Sequence, residues 1–147
     1  MLPAFRDYDC RMDLSDARAF IKENPRAILA TRKRDGRPQM SPIVAALDDE
    51  GRLLISSRET AYKTKNVKRE PTVSLCFVNP DFFGQWVQVD GTVEVISLPE
   101  AMDLLVDYYR RLSGEHPDWD DYRAAMEKDR RLILRVTIER AGPDRSG

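Results

Sequence analysis

The side chains best suited to chemistry in this sequence follow a short apolar segment, residues 53–55. Ser56 and Ser57 come directly after this segment, and the basic group Lys-Thr-Lys-Asn occupies residues 63–66. Lysine supplies a positive point charge, and serine and threonine hydroxyls supply short hydrogen-bond donors. Such groups just past a buried strand suit a phosphate. The stretch 53–66 therefore predicts an anchor for an anionic ligand.

A solvated helix face is the alternative interpretation of the same cations, because runs of charge usually face water. The cations concerned are Arg52, Arg58, Lys63, Lys65, Lys68 and Arg69. Spacing alone favours the solvated face. Two observations favour the ligand site: the apolar segment that leads into the stretch, and an upstream turn of the same charge, formed by Arg32, Lys33, Arg34 and Arg37.

The remaining polar residues indicate no catalytic triad and no metal site. His116 is the single histidine, and because it precedes a proline we interpret it as a linker residue more readily than as a ligand or a proton donor. Helix capping explains the nearby carboxylates at less cost than a metal does. These carboxylates are Glu115, Asp118, Asp120 and Asp121. Cys10 and Cys76 lie far apart without a CxxC motif, which predicts reduced thiols.

The composition predicts a single cytoplasmic domain. The chain has 147 residues, of which 41% are hydrophobic and 33% charged, with a formal net charge of -1. This length suits one core over residues 1–147, with an irregular lead-in at 1–12 and a flexible tail at 141–147. The balanced charge gives no basic field for nucleic acid, and no apolar run approaches membrane-spanning length. We therefore expect neither nucleic acid nor a membrane as a partner.

Local signals predict six strands and four helices. The strands are expected at residues 27–31, 38–47, 53–57, 72–78, 85–96 and 131–138. The helices are expected after Asp13 or Ser15, at 62–69, from about 99 to 113, and at 119–128. Asp35 and Gly36 favour a hairpin turn, and Gly91 within an alternating strand predicts a bulge or a close backbone approach.

Strands joined mostly by hairpin signals, with helices at the ends and in one excursion, predict an antiparallel barrel of the α+β class. Such a barrel has edges that must be covered. The helix predicted after Pro99 also has a second apolar side, at Val106 and Tyr109. Dimerisation is one way to cover both surfaces.

The order of these signals resembles a known family. The matching segments are residues 28–31, 35–44, 54–57 and 63–66. Together they resemble the flavin- and deazaflavin-binding split β-barrels related to pyridoxamine 5'-phosphate oxidase, also called FMN-binding split barrels, over residues 28–138. The segment 114–123 is similar to the helical insertion of the deazaflavin (F420)-dependent branch, so that branch is the closer likeness.

The resemblance implies a six-stranded split β-barrel with flanking helices that forms a homodimer and holds its cofactor in a groove between two barrels. Lys63 would hold the cofactor phosphate with help from Ser57 and Thr64, while Ile55 and Ser56 would line the ring. The ring edge would run past Gln39, Met40, Ser41 and Pro42.

Four further positions bear on the site that the resemblance implies. Trp86 and Gln88 lie on one face of their strand and are candidates for the partner chain's side of the groove, with core or interface packing as the equal alternative. Ala61 stands where relatives often carry a second cation, and Arg58 is the candidate to replace that cation.

The implied chemistry belongs to the cofactor, because a flavin or deazaflavin performs hydride transfer and the protein binds and orients it. The leading hypothesis is an F420-dependent oxidoreductase that transfers a hydride between the deazaflavin ring and a small conjugated or heteroaromatic acceptor. The first alternative is an FMN-dependent oxidase or reductase. The alternative of another class is a non-catalytic carrier of flavin or deazaflavin.

Overall fold

The structure is a computed structural model that describes residues 11–142. Its helices are α1 (Leu14–Glu23), α2 (Tyr62–Arg69), α3 (Met102–Ser113) and α4 (Trp119–Lys128). Its strands are β1 (Arg26–Arg32), β2 (Pro38–Val44), β3 (Ala46–Leu47), β4 (Leu53–Arg58), β5 (Thr72–Val78), β6 (Trp86–Ile96) and β7 (Arg131–Ala141). Cys10, most of the predicted lead-in and most of the predicted tail lie outside the described residues.

The strands form one antiparallel sheet in the order β2-β1-β5-β6-β7-β4-β3. The strands at the two ends of this order, β2 and β3, are separated along the chain by Ala45 alone. The sheet must therefore curl until its ends meet. β2 pairs with β1, and β3 pairs with β4, but no ladder joins β2 to β4 in the described chain. We call the open line between β2 and β4 the seam.

The seam explains why the sheet has seven strands and not the predicted six. The sequence predicted one strand over residues 38–47, but the backbone changes its pairing partner at Ala45. The Ala45 N–H still donates to the carbonyl oxygen of Pro25 on the β1 side at 2.9 Å, whereas Ala46 already pairs with Leu54 of β4. The apolar pattern continues through the break, so no local signal marks it. The α+β class and the antiparallel arrangement are confirmed.

Alternate residues of each strand fill the barrel interior, as the period of two requires. In β4, Leu53 and Ile55 point inward and are 0% and 1% exposed. The intervening Leu54 points outward into a second cluster, where it packs with Ile133 of β7 and Leu105 of α3. Each such side chain contributes about 1.5–3 kcal/mol when it is fully buried. β4 therefore carries one apolar face into the barrel and another beneath the helices.

The predicted bounds of α2 and α4 and the predicted stop of α3 are confirmed, whereas α3 begins at Met102 and not at about residue 99, because residues 98–101 form a turn. α2 begins and ends at the predicted residues and stops before Pro71. α3 ends at Gly114, whose φ of 80° is readily adopted by glycine. The Asp118 carboxylate accepts a hydrogen bond from the Asp121 N–H at 3.1 Å and so caps α4. No helix within residues 11–142 is long and apolar enough to cross a membrane.

The predicted irregularity at Gly91 is confirmed as a shift of register between β6 and β7 at Asp90 and Gly91. A Cβ at position 91 would lie 2.3 Å from the carbonyl oxygen of Thr137. β7 also continues past the predicted end to Ala141, because Ala141 still pairs with Val89 of β6. The bulge therefore marks a close approach of two backbones.

Candidate functional site

A pocket of about 480 Å³ opens on the outside of the barrel at the seam. Its apolar surface comes from β1, β2 and β5, from Ala27, Ile28, Pro42, Ile43, Val44 and Val78. Phe82, in the loop after β5, lines it as well and is 65% exposed. Ser56 of β4, Lys63 of α2 and Arg131 of β7 supply the polar lining on the other side of the seam.

The pocket is lined by three cations and by no carboxylate. The cations are Arg26, Lys63 and Arg131. None of the three forms an ion pair with any residue in the described range. Burial, and secondarily the charge of Arg131, lower the pKa of Lys63. The Lys63 ammonium is thus held in a partly desolvated place beside a second positive charge, which an anion would stabilise.

Arg131 reaches this pocket through the pairing of β4 with β7. Ser56 lies opposite Ile133, so Arg131 is its diagonal neighbour on the outer face of the sheet. The Arg131 Nε is buried and has no hydrogen-bond partner. A buried donor without a partner costs about 1–3 kcal/mol, and a bound anion would satisfy it.

Two larger pockets, of about 550 Å³ each, offer a less clear charge pattern. In the pocket between α1 and α3, Arg111 already forms ion pairs with Asp49 and Asp107. The pocket on the outer face of β1, β5 and β6 is lined by the carboxylates Asp90 and Glu139. The pocket at the seam therefore has the charge that suits an anionic ligand.

The structure brings three of the predicted site residues together, since Pro42, Ser56 and Lys63 all line the pocket at the seam. Met40 lies on the same outer face of β2 as Pro42 and is 63% exposed. Gln39 is turned away from the pocket, because its side chain bonds the Thr31 hydroxyl at 3.2 Å.

The roles predicted for the side chains of Ile55, Ser57 and Thr64 need correction. Ile55 and Ser57 point into the barrel interior and are each 1% exposed. The Ser57 and Thr64 hydroxyls bond each other at 2.8 Å, and Thr64 donates to the carbonyl oxygen of Arg58 at 2.7 Å. These hydroxyls fix the start of α2 against β4, and so they position Lys63 without facing the pocket.

Ser41, Trp86 and Gln88 keep their predicted roles as predictions only. The Ser41 hydroxyl is buried and has no hydrogen-bond partner, and it lies on the inner face of β2 with Ile43, not on the outer face with Met40 and Pro42. Trp86 and Gln88 lie opposite Val78 and Cys76 on β5 and are both half-buried. They share the outer face of the sheet with the floor of the pocket.

Two cations of the pocket, Arg26 and Arg131, were not predicted from the sequence as site residues. Each is the first residue of its strand, where a cation next to an apolar run usually means a solvated end. The strand pattern does place both on outer faces, but only the order of strands in the sheet brings them to one pocket. Arg58, the predicted replacement cation, instead lies 4.0 Å from Asp129.

The cation-rich segments are more neutralised than the sequence suggested. Arg52 pairs with Asp48, Lys68 pairs with Glu59, and the Arg69 guanidinium donates to the carbonyl oxygen of Arg32. Of the six cations between 52 and 69, Lys63 and Lys65 make no ion pair or hydrogen bond with another described side chain. Lys65 is exposed, as the interpretation as a solvated face predicts, whereas Lys63 is half-buried and lines the pocket at the seam.

The acidic segment after α3 forms local contacts. Glu115 pairs with Arg110 and accepts a hydrogen bond from the Trp119 indole, while His116 Nδ1 accepts one from the Asp118 N–H. His116 also stacks within an aromatic cluster made by Tyr109, Trp119 and Tyr122. Among the described residues, no group of three or more His, Cys, Asp or Glu side chains could hold a metal ion.

A curled antiparallel sheet with helices on its flank and an open seam between β2 and β4 defines a split β-barrel. The sequence also identifies the family. The profile of the pyridoxamine 5'-phosphate oxidase family matches residues 15–143, and the chain belongs to this family.

Several solved structures share this fold. An F420 reductase is 25% identical, with a TM-score of 0.63 over 83% of this chain and 93% of that one. A conserved hypothetical protein from Mycobacterium tuberculosis is 23% identical, with a TM-score of 0.74 over 94% and 87%. The heme storage protein HutZ from Vibrio cholerae is 16% identical, with a TM-score of 0.69 over 92% and 98%, and shares the fold.

Proposed function

We propose that this protein is an F420-dependent oxidoreductase that transfers a hydride between the deazaflavin ring and a small conjugated or heteroaromatic acceptor. The observation that carries the proposal is the pair of unneutralised cations, Lys63 and Arg131, beside the apolar surface of the pocket at the seam. An aromatic anion has the matching chemistry, since its ring suits the apolar surface and its phosphate suits the cations.

The residues present fit such a cofactor. Lys63 and Arg131 would hold the phosphate, and the orphaned Arg131 Nε would gain an acceptor. Ile28 and Val44 would exclude water from the ring. When it is bound, the cofactor supplies the hydride chemistry. The chain's own contribution is to bind and orient it.

F420 is favoured over FMN by the likeness to an F420 reductase, which extends over most of both chains. The charge distribution adds support, because α2 links the pocket to the cationic hairpin after β1. Lys63 lines the pocket at the start of the helix, and Arg69 at its end donates to the carbonyl oxygen of Arg32. A long anionic tail would find exposed cations along this path, at Lys65, Lys33 and Arg34.

Titration of the purified protein with F420 and with FMN, followed by fluorescence, tests this choice. We expect F420 affinity to fall more steeply with added salt than FMN affinity, because exposed charges are screened over about 8 Å at physiological ionic strength. Tighter FMN binding at every salt concentration would favour the FMN-dependent alternative. A screen of conjugated acceptors with the reduced cofactor would then separate an enzyme from a carrier that binds without turnover.

We also propose that the chain is a homodimer whose cofactor groove lies between two copies. The outer face of β1 and β2 exposes Ile28, Met40 and Val44 beside the pocket, at 39%, 63% and 36%. Sedimentation should give the mass of two chains. Met40→Glu should shift the protein towards the monomer, whereas Met40→Leu should not. The proposal would be contradicted if the unmodified protein and both variants all sedimented with the mass of one chain.

A further inference from the structure

The seam leaves backbone groups of β2 and β4 without partners from a ladder. β2 makes its ladder with β1 along its whole length, and β4 makes its ladder with β7. The opposite edges of these two strands face each other across the seam, apart from the short pairing of β4 with β3. An unpaired polar backbone group that is shielded from water needs another partner.

The Tyr108 phenol of α3 provides that partner from outside the sheet. Its hydroxyl donates to the carbonyl oxygen of Val44 at 2.9 Å. The N–H of Ser56 lies on the open edge of β4, because the Glu59 N–H, three residues further on, bonds the carbonyl oxygen of Arg130 on the β7 side. Burial raises the pKa of Tyr108, and a hydrogen bond from this Ser56 N–H opposes that rise. One side-chain hydroxyl therefore connects β2 to β4 where the backbones do not bond each other.

The residues that Tyr108 connects are both lining residues of the pocket. Val44 belongs to its apolar surface, and Ser56 belongs to the polar side with Lys63 and Arg131. Arg131 is near enough for its charge to act on Tyr108. The distance between the apolar and cationic sides of the pocket thus depends on the Tyr108 hydroxyl, which connects β2 to β4 across the seam.

We propose that Tyr108 is a positioning residue whose hydroxyl ties Val44 to Ser56 and thereby sets the width of the pocket for its anionic ligand. This proposal deepens the proposed function and rests on it for the identity of the ligand. Tyr108 does not line the pocket itself, so its effect on binding would pass through the two strands.

Tyr108→Phe is the direct test, because it removes the hydroxyl and keeps the ring. We expect FMN and F420 affinity to fall by about three- to tenfold, the range for the loss of one hydrogen bond. We also expect the Ser56 amide hydrogen to exchange faster in the ligand-free variant, as measured by NMR. The second readout needs no cofactor.

Two matched variants separate positioning from general stability. Tyr109 is the next residue of α3, and its hydroxyl has no hydrogen-bond partner among the described residues. Tyr109→Phe removes this hydroxyl and should leave affinity unchanged. Tyr122→Phe removes the buried hydroxyl that donates to the carbonyl oxygen of Leu105 at 2.7 Å. Tyr122→Phe should lower the melting temperature. It should change neither the exchange rate of the Ser56 amide hydrogen nor the cofactor affinity.

The outcomes distinguish this proposal from the proposed function. Unchanged Ser56 exchange in Tyr108→Phe would overturn the positioning role, whatever the ligand. Faster exchange with unchanged affinity would also overturn it, because the tie would then not set the pocket. If the unmodified protein bound neither FMN nor F420, the proposed function would fail, and Ser56 exchange together with a titration of inorganic phosphate would decide the role of Tyr108.

Discussion

Replacing Lys63 by alanine is expected to weaken cofactor binding by about 1.5–3 kcal/mol, or roughly ten- to a hundredfold. The reason is the loss of a charge-assisted contact in a pocket whose lining contains no carboxylate. Folding should hardly change, because Lys63 makes no ion pair or hydrogen bond within the described part of the chain. Fluorescence titration and a thermal melt of the variant measure the two effects.

Lys65→Ala is the matched control, since it removes the same charge two residues along α2 from an exposed side chain. It should change stability and the affinity for FMN little, since FMN has no long anionic tail to reach Lys65. Equal losses from both substitutions would mean general electrostatic attraction and would contradict the role of Lys63. Lys68 is less suitable because it forms an ion pair with Glu59 at 2.7 Å.

The pH dependence of binding gives an independent check on the same lysine. Lys63 binds an anion in its protonated form, and its pKa in the free protein is lowered by burial and by Arg131. Affinity should therefore start to fall at a lower pH than an ordinary lysine would require. Lys63→Arg keeps the charge at alkaline pH, so the alkaline loss of affinity should disappear in that variant.

Gly91→Ala should destabilise the fold by about 2–3 kcal/mol, in the range for overpacked sites. The added Cβ would lie 2.3 Å from the carbonyl oxygen of Thr137 and 2.9 Å from Val136. The first of these neighbours is backbone in the middle of the β6–β7 ladder, which cannot move without breaking hydrogen bonds. A fall in the melting temperature of about 5–10 °C is expected for a domain of this size.

Gly36→Ala provides the comparison for this second substitution. Gly36 has a φ of 86° and no heavy atom within 4 Å of an added Cβ, so its replacement tests backbone strain without a steric clash. That strain costs about 1–2 kcal/mol. A loss at Gly91 no larger than the loss at Gly36 would show that β6 and β7 can separate enough to accept the methyl group.

The parts of this structure that the sequence predicted correctly depend on local signals. The end of α2 follows from Pro71, and the cap of α4 follows from Asp118. The bulge at Gly91 likewise lies at the one glycine of an alternating strand. These features involve neighbours in the chain, so residue type and spacing are sufficient to locate them.

The inward direction of Ser57 could also have been predicted. Side chains alternate along a strand, so Leu53, Ile55 and Ser57 must share one face of β4. The apolar character of Leu53 and Ile55 makes this the interior face, and it leaves Ser56 facing the pocket. The role that the resemblance implies for the Ser57 hydroxyl conflicts with this period of two.

The rest of the site could not be predicted because it depends on how the sheet closes. The break at Ala45 comes from a change of pairing partner, and neither Val44 nor Ala46 differs in character from a residue of a continuous strand. Arg131 reaches Lys63 only because β7 pairs with β4. A single sequence gives the strands but not their order, and the pocket is a consequence of the order.

We expect the pocket to form late in folding, because it requires the pairing of β4 with β7. The paired residues Arg58 and Arg131 are 73 positions apart, whereas β1 and β2 are joined by a short hairpin. Contacts over such separations are slow to form, because a long loop must close before they give any stabilisation. A chain with its hairpins formed but its sheet still open has no anion site, so a bound cofactor would stabilise only the fully closed barrel.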